Sequence, residues 1–258
     1  MSSGPLKAVA YIRPMNGGGS QSQLVLGSDK KQYVVKLMGN GQGTRILANE
    51  YVVGRIAEIL DAQSPPVTTI EVDAVMVANM NKVSNAHFQA GIQFAQLYVG
   101  GSDTVFPSNP ELMAKAGNIG NWPNAIVLDA LTQNDDFKAV HVLVESAKQG
   151  GGCKFWHIDH GHCLGITAGW GTLSPSKATI RNLLYGDLVA GVDPFGDVFT
   201  RMNAITMEQI EGILAGCPLS AWQVPNTDSS NLVKYLLEAR KPVQNTILSA
   251  KPQFPNWK

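Results

Sequence analysis

The 258-residue chain predicts an α/β (α+β) protein of two lobes, β-rich over residues 1–99 and mainly helical over residues 100–258. Three observations carry this reading. The first third is built of short runs rich in β-branched and aromatic residues, a composition that suits strands. Gly100-Gly101-Ser102-Asp103 then interrupts the chain, and such clusters mark the ends of regular elements. Beyond the break, apolar residues recur at helical spacing.

The elements follow in order. Residues 8–12 predict a short strand, followed by the polar turn Asn16-Gly17-Gly18-Gly19-Ser20-Gln21-Ser22. Residues 24–26 and 32–38 are the next strands, joined by the hairpin-type connection Gly27-Ser28-Asp29-Lys30. After the glycines at 39–43 a helix begins, with Thr44 or Asn49 as its cap. Ile46, Leu47, Val53, Ile56, Ala57 and Leu60 fit helical spacing better than alternation, and Pro65-Pro66 stops the helix. Residues 67–72 and 74–77 predict strands, and the alternation over 91–99 predicts another.

In the second lobe, residues 123–132 predict a helix with Pro123 in its first turn, where a missing N–H breaks no helical bond. Residues 141–145 and 154–158 predict two strands around the loop 148–152. Residues 178–185, 206–215 and 229–239 predict helices, the last with Leu232, Val233, Leu236 and Leu237 on one side.

Composition removes several function classes. Apolar residues make up 44% of the chain, enough for a core and against wholesale disorder. Lys plus Arg and Asp plus Glu both number 20, so nothing points to electrostatic nucleic-acid binding. The longest apolar runs, such as 125–128 and 142–144, fall far short of the roughly 20 residues that span a bilayer. The start, Met1 to Lys7, lacks the basic-then-apolar pattern of a secretory signal. Cys153, Cys163 and Cys217 are an odd set in a chain of this size, which fits free thiols in a reducing, cytoplasmic setting.

Four segments carry candidate chemistry. Gly17, Gly18 and Gly19 allow a backbone to approach a ligand closely, and their N–H groups, with Ser20 and Ser22, suit phosphate oxygens. An ordinary hairpin tip has the same composition. Lys36 shares a strand face with Val34, and a buried lysine needs an acidic partner. Glu50 on the following helix is the candidate, unless both are solvated surface charges. Asn134-Asp135-Asp136 follows the 123–132 helix and reads either as a turn or as the loop aspartate that orients a hydroxyl for phosphoryl transfer. Finally, Phe155-Trp156-His157-Ile158-Asp159-His160-Gly161-His162 delivers an aspartate from a strand end into a glycine turn, a good setting for a Mg²⁺ ligand.

Their order matters more than any one of them. Gly-rich turn, strand lysine, helix glutamate, loop aspartate and strand-Asp-x-Gly is the order of a bilobal kinase. The sequence resembles the HipA-like kinases, in particular a small bacterial branch without the separate N-terminal module of the toxin kinases. The matching stretches are Val34-Val35-Lys36, Gly43-Thr44-Arg45-Ile46-Leu47-Ala48-Asn49-Glu50, Gly91-Ile92-Gln93-Phe94, Asn134-Asp135-Asp136 and Trp156-His157-Ile158-Asp159-His160-Gly161.

The resemblance implies a protein-kinase-like fold and serine/threonine kinase activity with ATP and Mg²⁺. By position, Lys36 would contact the ATP phosphates with Glu50 pairing it, beneath Gly17, Gly18, Gly19 and Ser20. Val99 and Gly101 would belong to the hinge against adenine. Asp136 would be the catalytic base and Asp159 a metal ligand. The substrate would be a hydroxyl on a protein, on a small molecule or on the chain itself, at Ser20 or Ser22. Two positions depart from the family pattern. Phe137 stands where an arginine usually follows the catalytic aspartate, and His141 where an asparagine holds a second metal. An imidazole suits Mg²⁺ less well than oxygen.

Two other readings compete. A nucleotide-binding protein without turnover is favoured by Phe137 and His141. A zinc hydrolase would use the cluster Cys153, His157, Asp159, His160, His162 and Cys163, with His157 and Asp159 on one strand face. The run lacks the first histidine of the signature His-x-His-x-Asp-His, which falls at Phe155, and three ligands do not clearly converge.

Overall fold

Strands β1 (Ala8–Pro14), β2 (Gln23–Gly27) and β3 (Gln32–Lys36) run antiparallel in succession. With β4 (Val67–Val72) and β5 (Gly91–Leu97) they form a sheet in the order β1-β2-β3-β5-β4. This computed structural model describes residues 6–15, 19–100, 105–146, 152–165 and 169–258. The turn between β2 and β3 closes by a bond from the Lys30 N–H to the Gly27 carbonyl at 2.9 Å, with Lys30 left-handed.

Register sets the two faces of the sheet. Val34 pairs with Gln96 and Lys36 with Phe94, and all four side chains face the cleft described below. Val35 points the other way, into a small apolar core with Val25, Leu37, Ile70, Val72 and Phe88. Helix α2 (Ala74–Lys82) covers that core with Met76, Val77 and Met80. Residues 74–77 are therefore helical and not the predicted strand. Asp73 caps the helix by accepting from the Met76 N–H at 2.7 Å, which satisfies an orphan donor of its first turn.

Helix α1 (Arg45–Leu60) lies on the other side of the sheet. It packs on β4 and β5 and also on the helices of the second half, α4 (Trp122–Thr132), α5 (Gly196–Ala204) and α6 (Met207–Gly216). The main apolar core accordingly runs from Met38 through to Trp257. Every residue of α4 is buried; its polar members Asn124, Asp129 and Thr132 are hydrogen-bonded within the fold. Three short strands, β6 (Val105–Pro107), β7 (Val142–Ser146) and β8 (Cys153–His157), form a second sheet in that order. Helix α3 (Pro110–Ala114) follows β6, and α7 (Asn226–Ser249) packs across α4.

The helices predicted over 206–215 and 229–239 exist, the latter as part of the 24-residue α7, with Pro242 inside it. Thr206 caps α6 with a reciprocal capping box through Gln209. Residues 178–185 are not helical. Their polar groups are taken by tertiary partners: Asn182 donates to Asp129 at 2.8 Å, and the Leu184 carbonyl accepts from the Trp122 indole at 2.9 Å. Among the described residues, no helix is long and apolar enough to cross a membrane.

Candidate active site

Lys36 ends β3 with its ammonium turned towards the cleft and α1. It is 7% exposed. Its Nζ donates to Glu50 Oε1 and, at 2.7 Å, to Asp159 Oδ1. Glu50 is 1% exposed, in the second turn of α1, and also accepts from the His160 backbone N–H. Asp159 follows β8 in the left-handed region, with φ of 66°. That conformation is unfavourable for a residue with a Cβ and gathers at functional sites. Here it swings Asp159 towards Lys36. Gly161 lets the same loop lie against α1, since a Cβ there would stand 3.3 Å from Glu50 and Ile46.

One ammonium is thus shared by two carboxylates, and the electrostatics follow. Burial draws the Lys36 pKa down, but the charges of Glu50 and Asp159 outweigh it and the net direction is up. Burial pushes Asp159 up, and Lys36 reverses this to hold it well below the usual carboxylate range. For Glu50, burial wins over Lys36 and its pKa is raised. His141, just before β7, places Nε2 3.6 Å from Asp159 Oδ2. Burial lowers its pKa against the pull of Asp159 and Asp136, which favours the neutral ring; among the described residues its buried Nδ1 has no partner.

These groups sit at one end of a cleft of about 440 Å³. Ser20 and Ser22, their hydroxyls 3.1 Å apart, form its roof beside Lys36. Leu97, Tyr98 and Val99 line the other end, and Val140, Leu143 and Ile158 its floor. Gly19 lies in the turn before Ser20, where a Cβ would meet the Gln42 side chain at 2.9 Å. Gln42 in turn contacts His162 of the Asp159 loop at 2.9 Å. Gly17, Gly18 and Gly101 lie outside the described residues.

Residues 8–140, more than half the chain, match the sequence model of the HipA-like kinases. The chain belongs to the HipA-like kinase family. No curated protein matches it by sequence. Among solved structures, Golgi casein kinase with Mn/ADP bound is similar at 12% identity and a TM-score of 0.54, over 96% of this chain and 74% of that one. The Helicobacter pylori proinflammatory kinase CtkA is similar at 13% identity and a TM-score of 0.56, over 93% of this chain and 96% of that one. The fold is that of the protein kinases, as the order of motifs along the sequence implied. This HipA-like kinase is a kinase-type phosphotransferase.

Asp136 stands apart from the Lys36 group in this HipA-like kinase. It occupies the turn after α4, where its N–H donates to Asn134 Oδ1 at 3.1 Å. Asn134 is anchored to Asp129 through both its N–H (2.9 Å) and its side-chain amide (2.7 Å). The Asp136 carboxylate pairs with Lys138 at 2.6 Å and faces His141 closely enough to act on its charge. Lys138 was not among the sequence candidates; its signal is the Asp-x-Lys spacing. Phe137, at the first departure, packs its ring on Trp122 and His157. It is half-buried and packs against the edge of the main apolar core.

Asn49 is a second residue whose role the sequence left open. It does not cap α1, which begins at Arg45. Its amide donates to the Gly161 and Cys163 carbonyls at 3.0 and 2.7 Å, and its Oδ1 accepts from the Trp170 indole at 2.8 Å. It ties the helix of Glu50 to the loop of Asp159. An asparagine inside a helix is a mediocre helix former, and that was the available signal.

His157 and His160 do not gather around Asp159 as the hydrolase reading requires; they group with Asp129 instead. β8 ends at His157 and the left-handed Asp159 breaks its alternation, so the two do not share a face. Asp159 opens on the cleft, while His157 and His160 are wholly buried.

Proposed function

We propose that this kinase transfers the γ-phosphoryl group of ATP to a serine or threonine hydroxyl, most directly on a protein. The observation that carries the reading is the Lys36–Glu50–Asp159 cluster at one end of the cleft. In this reading the lobes 1–99 and 100–258 enclose the nucleotide. The apolar end with Val99 takes the adenine, with Gly101 as a further contact. Gly17, Gly18, Gly19, Ser20 and Ser22 lie over the phosphates.

Lys36 donates to phosphate oxygens and Glu50 fixes its ammonium in place, so catalysis rests on positioning and charge neutralisation. A divalent cation fits the donors present: an ionised Asp159 carboxylate, and a neutral His141 ring 3.6 Å away. Bound Mg²⁺ supplies charge neutralisation on the phosphate oxygens. Asp136 accepts the proton of the attacking hydroxyl as its oxygen bonds to phosphorus and the bond to the ADP oxygen breaks. Lys138, paired to Asp136, adds positive charge beside the transferred group.

Ser20 and Ser22 are candidate acceptors within the chain. Both are buried in the cleft roof and must leave it to react. The three cysteines are free, which supports a cytoplasmic protein. A second reading, nucleotide binding without transfer, is favoured by His141 at the metal position.

Incubation with γ-labelled ATP and Mg²⁺, followed by intact mass and peptide mapping, tests the proposal. Label on the chain or on an added protein, lost in Asp159→Asn, is the expected result. ATP binding without label on the chain or on a panel of protein and small-molecule hydroxyl substrates would establish the second reading.

A further inference from the structure

Directly behind Asp159, away from the cleft, three ionisable side chains from three elements converge. Asp129 comes from α4, His157 ends β8, and His160 follows Asp159. All are buried, at 2%, 0% and 0% exposure. One donor atom from each lies within 4.8 Å of the other two. We propose that Asp129, His157 and His160 form a structural site for a transition-metal ion of the zinc class.

The unpaired atoms point to an ion. Among the described residues, neither buried ring nitrogen of His157 has a hydrogen-bond partner, although a neutral imidazole always carries one donor and one acceptor. Buried polar atoms are almost always satisfied, and exceptions call for an unrecorded partner. His160 bonds Ser64 through Nε2 at 3.2 Å, and among the described residues its buried Nδ1 has no partner. The Asp129 carboxylate accepts from the amides of Asn134 and Asn182, at 2.7 and 2.8 Å. Those neutral donors orient it without cancelling its charge. Among the described residues no lysine or arginine pairs with it.

The spacing also suits an ion. His157 Nε2 stands 3.6 Å from Asp129 Oδ1, longer than a good hydrogen bond. Two ligands about 2.0–2.1 Å from a tetrahedral zinc ion lie roughly 3.3 Å apart. Ser64, Asn134 and Asn182 then act as the outer partners that fix ligand orientation in metal sites. Two imidazoles and one carboxylate select zinc or its neighbours over Mg²⁺ and Ca²⁺. Complete burial bars substrate, so the ion holds structure and does not hydrolyse. It would join α4, β8 and the Asp159 loop, and through Asn134 the turn of Asp136.

The alternative occupant is a proton, giving an imidazolium–carboxylate pair between His157 and Asp129. Metal analysis of the purified full chain separates the two. About one zinc per chain is expected, retained in Asp159→Asn and His141→Ala but lost in His157→Ala and Asp129→Asn. Strong chelation should lower the melting temperature of the unaltered chain, with recovery on added Zn²⁺ but not Mg²⁺. Zinc-edge absorption of the unaltered chain should show two imidazole ligands, a readout that needs no variant to fold. A chain that neither contains zinc nor gains stability from it overturns the site in favour of the proton. Zinc lost from Asp159→Asn and His141→Ala but kept in His157→Ala assigns the ion to the cleft and equally overturns it.

Discussion

Lys36 Nζ stands 2.7 Å from Asp159 Oδ1 while also donating to Glu50, so one buried ammonium joins α1 to the loop after β8. Removing the cation leaves a wholly buried Glu50 beside a second carboxylate. Breaking a buried pair from one side costs about 3–5 kcal/mol. Lys36→Met should therefore lower unfolding stability by that order, measured in urea. Glu50→Gln should cost less, about 1–3 kcal/mol, because Asp159 still pairs the lysine. The double variant should recover part of the Lys36→Met loss. Equal losses in the two single variants would show that Asp159 does not share the ammonium.

Asp136 sits outside the Lys36 cluster, tied to Lys138 at 2.6 Å, and its proposed role needs no nucleotide contact. Asp136→Asn should reduce phosphoryl transfer by about 10²–10⁴-fold, the range of a general base. ATP affinity by calorimetry should not change. Loss of affinity together with turnover would make Asp136 a structural turn residue.

His141 occupies the position of a metal-holding asparagine, with its Nε2 facing Asp159 at 3.6 Å. An amide oxygen suits Mg²⁺ better than an imidazole nitrogen. His141→Asn should keep or raise Mg²⁺-supported turnover, measured by phosphate release or label transfer. A large loss would give the histidine a role of its own.

The parts of the site that lie in local pattern were legible in the sequence. Alternation along β3 put Lys36 on the same face as Val34, helical spacing put Glu50 on α1, and a strand leading to Asp159 marked the loop. The misses arise where tertiary contacts decide. Ala74, Val75, Met76 and Val77 have strand-like composition, but the Asp73 cap and the apolar underside of the first sheet make them a helix. The apolar period at 178–185 gives way to bonds from Trp122 and to Asp129. Asp129 itself reads as an ordinary helix residue, because its partners His157, Asn134 and Asn182 meet only in the folded chain.

Alkaline pH offers a test of the core that is independent of function. Burial pushes the Cys217 thiol from 9.0 up to about 12, and the Tyr235 hydroxyl from 10.0 up to about 12 against the hydrogen bond from Gln133. Lys36 is also raised. In each case the unfolded chain releases its proton at a lower pH than the folded one. The folded state then binds more protons, and stability falls as pH rises. The fall should begin near pH 9, as the unfolded thiol ionises, and steepen above pH 10 with Tyr235. Each group contributes at most about 1.4 kcal/mol per pH unit. Urea unfolding across this range should show the decline. Cys217→Ala should remove only a share of its first part, because burial also holds the Cys163 thiol well above its ordinary range, and Tyr235 still keeps its proton in both states there. A stability curve flat through pH 9 to 12 would mean that these groups are far more solvated than their burial implies.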